Sequence, residues 1–354
     1  MYDLPVYDLI AEFLSSQMED PEGLFSILDD VDMASRECSS LFQVSLGSLS
    51  EGTKKVYRSN VTQFRRWIQE AGIPDVFPYP PSAVALFLIE YSRRPKMSSS
   101  SICSMGSSIR WMHEIIGRRS PTDSLMVENV LKSLKRTLAK PLERKLAILR
   151  EHYHAIIDTL EQDDSLKNLR LICMIVLATH GFIRIGSLLA IRIEHFQFET
   201  DHFSIFLPKC KNDQYRHGQT RLINKSKVQK YCPYRILKKY LAKASIDLKG
   251  SEYIFRNIVN SQGQGTQLVK VNKSLLYSRA RDHLIEKLKS LGLEKENIGW
   301  HSFRSGAASA CSNKGLNLKM IKQQGGWKTD SAMHMYLDHD VENRLKVSKC
   351  LGEW

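Results

Sequence analysis

The sequence lacks any apolar run long enough to cross a bilayer. The longest, Leu171–Ala178 (LICMIVLA), falls far short of the roughly 20 residues a spanning helix needs. Cys-x-x-Cys pairs are missing too. Seven cysteines, at 38, 103, 173, 210, 232, 311 and 350, are scattered through 354 residues. An odd, dispersed set in so large a chain argues against a disulfide framework. Cys210, His217 and Cys232 are near one another in sequence, but their spacing fits no common zinc pattern, so structural zinc is not expected; no other cofactor is expected either. Basic residues are nearly absent from one end: residues 1–50 hold ten acidic side chains and a single basic one, Arg36. The opening Met-Tyr-Asp-Leu-Pro is therefore acidic where a secretory or mitochondrial leader is basic. Together these absences predict a soluble, intracellular protein without a membrane partner, nuclear if the source is eukaryotic.

What is present is a globular composition with a cationic bias. A hydrophobic content of 42% with 9% aromatics supports packed cores, and the length suits two domains. The net charge is +13, but the first fifty residues contribute −9, so the remainder carries +22. An excess of that size fits a polyanion, with nucleic acid the first candidate and an anionic membrane surface the second.

Three pieces follow one another without an internal repeat. Residues 1–50 mix acidic and large apolar residues (VYDLIAEFL, GLFSILDDV) around Pro21-Glu22-Gly23, as in short amphipathic helices or an arm that folds on contact. Residues 51–145 read as a small all-helical domain. Thr53 is placed to cap a helix whose Tyr57, Val61, Phe64 and Ile68 share one face, closed by Gly72 and Pro74. Ser82 caps a short helix through Tyr91, and Ser99–Ile116 turns Ile102, Met105, Ile109 and Met112 inward. A fourth helix after Asp123 carries Val127, Leu131, Leu134 and Leu138. Pro141–Arg150 reads as a basic linker. Residues 146–354 read as mixed α/β: helices near 151–161 and 165–180, strands near 191–198, 203–208 and 220–223, then helices near 233–244, 272–291, 302–313, 317–324, 329–337 and 340–350. The fold class is thus mixed and mainly α, an all-helical domain followed by a mostly helical α/β domain with a small antiparallel sheet.

The residues with chemical potential lie in the last piece. His301-Ser-Phe-Arg304 sets an imidazole and a guanidinium on one face of a helix start. Small residues follow, Ser305-Gly306-Ala307-Ala308-Ser309, which permit close helix packing. Further on, Gly325-Gly326-Trp327 forms a tight turn before a short helix ending at Tyr336, and upstream Arg184 follows an apolar helix through Gly181. In order and spacing this set resembles the catalytic domain of the tyrosine recombinase (phage integrase) family: an arginine after a buried helix, a hairpin lysine, His-x-x-Arg, a histidine or tryptophan, then the tyrosine. The resemblance covers about 146–340. The basic helical piece before it resembles, less specifically, that family's core-binding domain, which binds DNA. Lys209-Cys-Lys-Asn-Asp-Gln-Tyr-Arg-His-Gly218 is similar to the Lys-Thr-Asp-Gln loop of eukaryotic mobile-element recombinases of the crypton and DIRS type.

The resemblance implies site-specific cutting and rejoining of duplex DNA through a 3′-phosphotyrosine link, in a tetramer on paired sites and without a metal. Such chemistry needs charge compensation, a nucleophile and a proton for the leaving oxygen. Two arginines, Arg184 and Arg304, can clamp the non-bridging phosphate oxygens. A phenol of ordinary pKa near 10 is a weak nucleophile at neutral pH and needs such help, so Tyr336 depends on them. By resemblance His301 assists as proton acceptor or phosphate ligand, and Lys211, or alternatively Lys209, protonates the leaving 5′ oxygen. Trp327 packs the site and offers an N–H that donates but cannot titrate. The family usually carries an acid three residues after the first arginine; here that residue is Ser187. A DNA-binding protein without turnover and a type IB topoisomerase are the competing readings. The acidic arm is expected either to cover the DNA channel or to steady a tetramer.

Overall fold

The computed structural model describes residues 47–74, 77–115, 117–141, 145–208, 218–261, 265–294, 296–338 and 340–351. The acidic arm as far as residue 46 lies outside them, as does the whole of 209–217. The chain divides into two compact units, Met1–Leu142 and Glu143–Trp354.

Among the described residues of the first unit the α-helices are α1 (Glu51–Glu70), α2 (Pro81–Ser92), α3 (Ser99–Glu114) and α4 (Leu125–Thr137). The cap of α1 is Ser50 rather than Thr53. The Ser50 hydroxyl accepts from the Thr53 amide at 3.2 Å, and the helix starts early enough to place Glu51 in its first turn, where the helix dipole favours an acid. Val61, Phe64 and Ile68 are fully buried, while Tyr57 is half-buried with its ring 5.4 Å from that of Trp111. The start of α2 relies on Pro81 at its first position instead of a Ser82 cap, because proline lacks the amide that a helix start leaves unpaired. Ile102, Met105, Ile109 and Met112 of α3 meet these faces with no exposure. Val127 of α4 completes the core, with Leu131, Leu134 and Leu138 packed at its edge. Gly106 permits that approach, since a Cβ there would lie 3.3 Å from the Leu131 methyls.

In the second unit the chain's longest apolar run becomes the axis of the core. Helix α6 (Leu166–His180) is buried from Leu169 to Ala178, enclosed on all sides. Around it pack α5 (Arg150–Glu161), α7 (Ile185–Leu189), α8 (Pro233–Lys243), α9 (Tyr277–Ser290) and α10 (Trp300–Asn313). α11 (Leu318–Gly325), α12 (Asp330–His334) and α13 (Val341–Leu351) complete the chain. Among the described residues no helix is long and apolar enough to cross a membrane.

Strands β1 (Phe196–Phe198), β2 (His202–Leu207) and β3 (Gln219–Asn224) form an antiparallel sheet in that order. Phe203, Ile205 and Leu207 face the core, opposite Ile223, Arg221 and Gln219. β1 is shorter than the 191–198 run suggested, because residues 193–195 tighten into a 3₁₀ turn. The backbone at Ile191 and Ile193 pairs instead with Ile254 and Glu252. A second hairpin, β4 (Ile258–Ser261) with β5 (Gly265–Leu268), was not expected from the sequence. Helix α9 starts at Tyr277 rather than 272, since the Leu275 amide is engaged by the Phe255 carbonyl at 2.8 Å.

Residues 145–149, read as part of a linker, are built into the second unit. The Leu146 amide donates to Asn297 O at 3.3 Å and the Ile148 amide to Ser302 O at 3.0 Å. Gly306 makes the crossing possible: a Cβ there would collide with the Ile148 backbone.

Candidate active site

Helix α10 carries two of the expected residues one turn apart. Its start is fixed by the Gly299 amide donating to Ser302 Oγ at 3.0 Å. His301 projects outward and is exposed, while Arg304 points inward and is 2% exposed. Burying a guanidinium demands hydrogen-bond acceptors. Arg304 donates through Nη1 to the Phe182 carbonyl and through Nη2 to the Gly325 carbonyl at 2.7 Å. Its guanidinium lies 4.1 Å from the ring centroid of Trp327 and 5.2 Å from that of Tyr336, within cation–π range of both. The Tyr336 ring centroid lies 5.3 Å from Trp327 and 6.4 Å from His301.

Tryptophan 327 is placed by the turn that ends α11. Gly326 adopts the left-handed conformation (φ 63°, ψ 41°) as the helix cap. A Cβ on Gly325 would occupy the space of the folded-back indole. The indole packs with Phe182, Ala308, Ile321 and Met333 in a small core that Tyr336 and Leu337 border. Its Nε1 is buried and has no hydrogen-bond acceptor among the described residues. Thr329 caps α12 by accepting from the Ala332 amide at 3.2 Å. The Lys322 ammonium, 2.7 Å from Asp330, ties α12 to α11 and holds the Asp330 carboxyl below its usual range. Beyond α12 comes the half-buried Tyr336. Ser309 fixes its backbone: the hydroxyl donates to Tyr336 O at 3.2 Å and accepts from the Asp338 amide at 2.8 Å.

Arg184 sits at the cap of α7, half-buried, two residues past the Phe182 carbonyl that receives Arg304. Phe182 reaches this path with φ 50°. Thus His301, Arg304, Trp327 and Tyr336 converge, with Arg184 on the segment next to them. Lys211 and Lys209 lie outside the described residues, as do Cys210, His217 and His339. The root of their hairpin is described, with Leu207 paired to Gln219. Ser187 occupies α7 itself and is half-buried.

Four residues near the site escaped sequence reasoning. Ser309 was read only as a small packing residue. Gln324 donates to His180 O at 3.0 Å and to Leu222 O at 3.1 Å, tying α11 to both α6 and β3. Gln219 and Arg221 abut Gly326. The available signal was in β3, where the inward positions read Gln, Arg, Ile rather than three apolar residues. His180, at the end of α6, is pushed down to about 4 by burial, and its Nε2 is 3.4 Å from the Tyr153 hydroxyl. Among the described residues no three His, Cys, Asp or Glu side chains gather as a metal site requires.

Comparison with known proteins gives a consistent result. The model of the phage integrase family matches residues 147–343. No curated protein matches the chain in sequence. Among solved structures, the XerH site-specific recombinase bound to its palindromic difH substrate in a post-cleavage complex aligns over 100% of this chain and 98% of its own. The identity is 15% and the TM-score 0.64. A lambda integrase dimer bound to a COC′ core site aligns over 94% of this chain and 84% of its own, at 17% identity and TM-score 0.55. The Tn1549 transposon integrase in complex with transposon right-end DNA covers 87% of this chain and 97% of its own, at 12% identity and TM-score 0.54. At these identities the likeness is one of fold.

Proposed function

The chain belongs to the phage integrase family, the tyrosine recombinases, and from that premise we propose that it cuts and rejoins duplex DNA at specific sites, with Tyr336 as nucleophile. The observation that carries this reading is the buried Arg304 guanidinium over the rings of both Tyr336 and Trp327. A fixed cation at that place stabilises a phenolate and the charge that develops on a phosphate beside it, without reorganisation during the reaction.

In this mechanism Arg184 and Arg304 bind the non-bridging oxygens of the scissile phosphate. Tyr336 Oη attacks phosphorus and loses its proton to His301 or to solvent through it. The bond from phosphorus to the 5′ oxygen breaks, and Lys211 of the 209–217 loop gives that oxygen a proton. The Trp327 N–H, lacking an acceptor within the described protein, donates to a phosphate oxygen. The product is a 3′-phosphotyrosine ester and a free 5′-hydroxyl. Because the ester keeps the bond energy, attack by a 5′-hydroxyl of a second duplex rejoins the strands by the reverse steps. Pairing of two duplexes calls for several protomers, and a lambda integrase tetramer bound to a Holliday junction shares this fold, at 16% identity and TM-score 0.52.

The test is a library of nicked duplexes of random sequence, in which the short 5′-hydroxyl fragment diffuses away and traps the adduct. Covalent protein–DNA adducts recovered under denaturing conditions and sequenced are expected to reveal one site. Tyr336→Phe is expected to abolish the adduct while retaining DNA binding. An undiminished adduct in that variant removes Tyr336 as nucleophile.

A further inference from the structure

The inward face of β3 places a cation where a hydrophobic residue would ordinarily sit. Its neighbours in register on β2 are Phe203, Ile205 and Leu207, all buried, yet β3 turns Gln219 and Arg221 toward them. Arg221 is 3% exposed. Keeping a guanidinium there carries a desolvation penalty that its hydrogen bonds must offset. Nη2 donates to Gln219 Oε1 at 2.6 Å, and Nη1 to Thr220 O at 3.3 Å. Gln219 Oε1 and Arg221 Nη2 together fill the space where a side chain at Gly326 would project. Gly326 is the left-handed residue between Gly325, whose carbonyl receives Arg304, and Trp327. Gln324, one residue before that pair, donates to the β3 carbonyl at Leu222. Hence β3 holds the turn at Gln324 and at Gly326, on either side of Gly325, and two side chains of the site hang from that turn.

We propose that Gln219 and Arg221 are positioning residues for the cleavage reaction: they seat the Gly325–Gly326 turn and, through it, set the Arg304 guanidinium and the Trp327 indole at the scissile phosphate. The inference rests on the recombinase reading above. Neither residue touches the reacting atoms; both act through the turn. The strand that seats the turn is also one arm of the hairpin that leads to the 209–217 loop, so the phosphate clamp and that hairpin share one support.

The test uses the full-length protein with Arg221→Met, Arg221→Lys and Gln219→Leu, each measured on the nicked duplex recovered above. A misplaced clamp is expected to slow adduct formation by about tenfold to a hundredfold, with duplex affinity close to that of the unaltered protein. The decisive comparison is the same duplex with a methylphosphonate at the scissile position, where one charged oxygen is replaced by a neutral methyl. With less charge to neutralise, the variants' deficit relative to the unaltered protein is expected to shrink strongly on at least one diastereomer. A deficit of equal size on both duplexes, or no deficit on either, overturns the proposal. A second readout does not depend on catalysis: the ¹⁹F resonance of fluorotryptophan at 327, assigned with Trp327→Phe, is expected to move in Gln219→Leu, which leaves the buried guanidinium in place. An unmoved resonance also overturns it. Failure of the unaltered protein to form any adduct, with the resonance still moving, would instead bring down the recombinase reading and leave the seating of the turn standing.

Discussion

At the scale of single residues, the site depends on atoms that exchange one role for another on small substitutions. Trp327 combines a packing ring with a lone buried N–H. Trp327→Phe keeps most of the ring and removes the donor. Cleavage is expected to slow by about tenfold to a hundredfold, with unfolding free energy changed by less than about 1.5 kcal/mol. Trp327→Ala also empties the small core and is expected to cost about 3–5 kcal/mol. Single-turnover adduct formation and urea unfolding separate the two losses. That His301, Arg304, Trp327 and Tyr336 come together follows the grouping expected from the resemblance of their order and spacing to the tyrosine recombinase set. Gln219 and Arg221 were not legible in sequence, since their partner Gly326 is about a hundred residues away and no local pattern encodes that contact. Ser309 was hidden for a different reason. Its size explained it well enough that its hydrogen bonds to the Tyr336 and Asp338 backbone had no separate trace.

At the scale of elements, helices with one apolar stripe could be read from period alone, and the errors sit at their ends. Ser50 rather than Thr53 caps α1, and α2 starts on a proline rather than a serine cap, because several residues near each boundary can satisfy the same free amides. The β4–β5 hairpin was missed because its four-residue strands alternate too briefly to give a period. Helix α10 shows what the small-residue run is for. Gly306→Val is expected to drive a side chain into the Ile148 carbonyl, displace residues 145–149 and destabilise the second unit by about 1–3 kcal/mol. Proteolysis within 145–149 should quicken along with a lower denaturation midpoint. An unchanged midpoint would mean the segment relocates without cost and does not belong to the core.

At the scale of the whole molecule, two units of different make share one chain, and the second holds its titratable residues in ways that make it pH-sensitive. His283 is 5% exposed and its pKa is pushed down to about 4, by burial first and then by the nearby Lys167 and Arg170, against the raising effect of Glu286. The folded protein therefore holds this imidazole neutral where the unfolded chain takes up a proton near 6.5. Stability from this residue is complete above pH 6.5 and is lost as the pH falls toward 4, by up to roughly 3 kcal/mol. Unfolding midpoints measured from pH 7 to pH 4.5 are expected to fall, and His283→Gln to fall less steeply over the same window. Equal slopes would assign the acid sensitivity elsewhere. The change from all-helical to mixed patterning lies near the boundary between the two units. The docking of residues 145–149 on α10 left no trace in the sequence, because a short basic and apolar stretch looks like a tether whether or not it is docked.

That docking has a mechanical consequence. The segment at 145–149 is tied to the backbone at Asn297 and Ser302 and crosses α10 at Gly306. His301 and Arg304 lie between those attachment points along the chain. A pull applied at residue 145 would therefore meet first the loop at Asn297 that leads into α10, and only then the helix's first turn at Ser302.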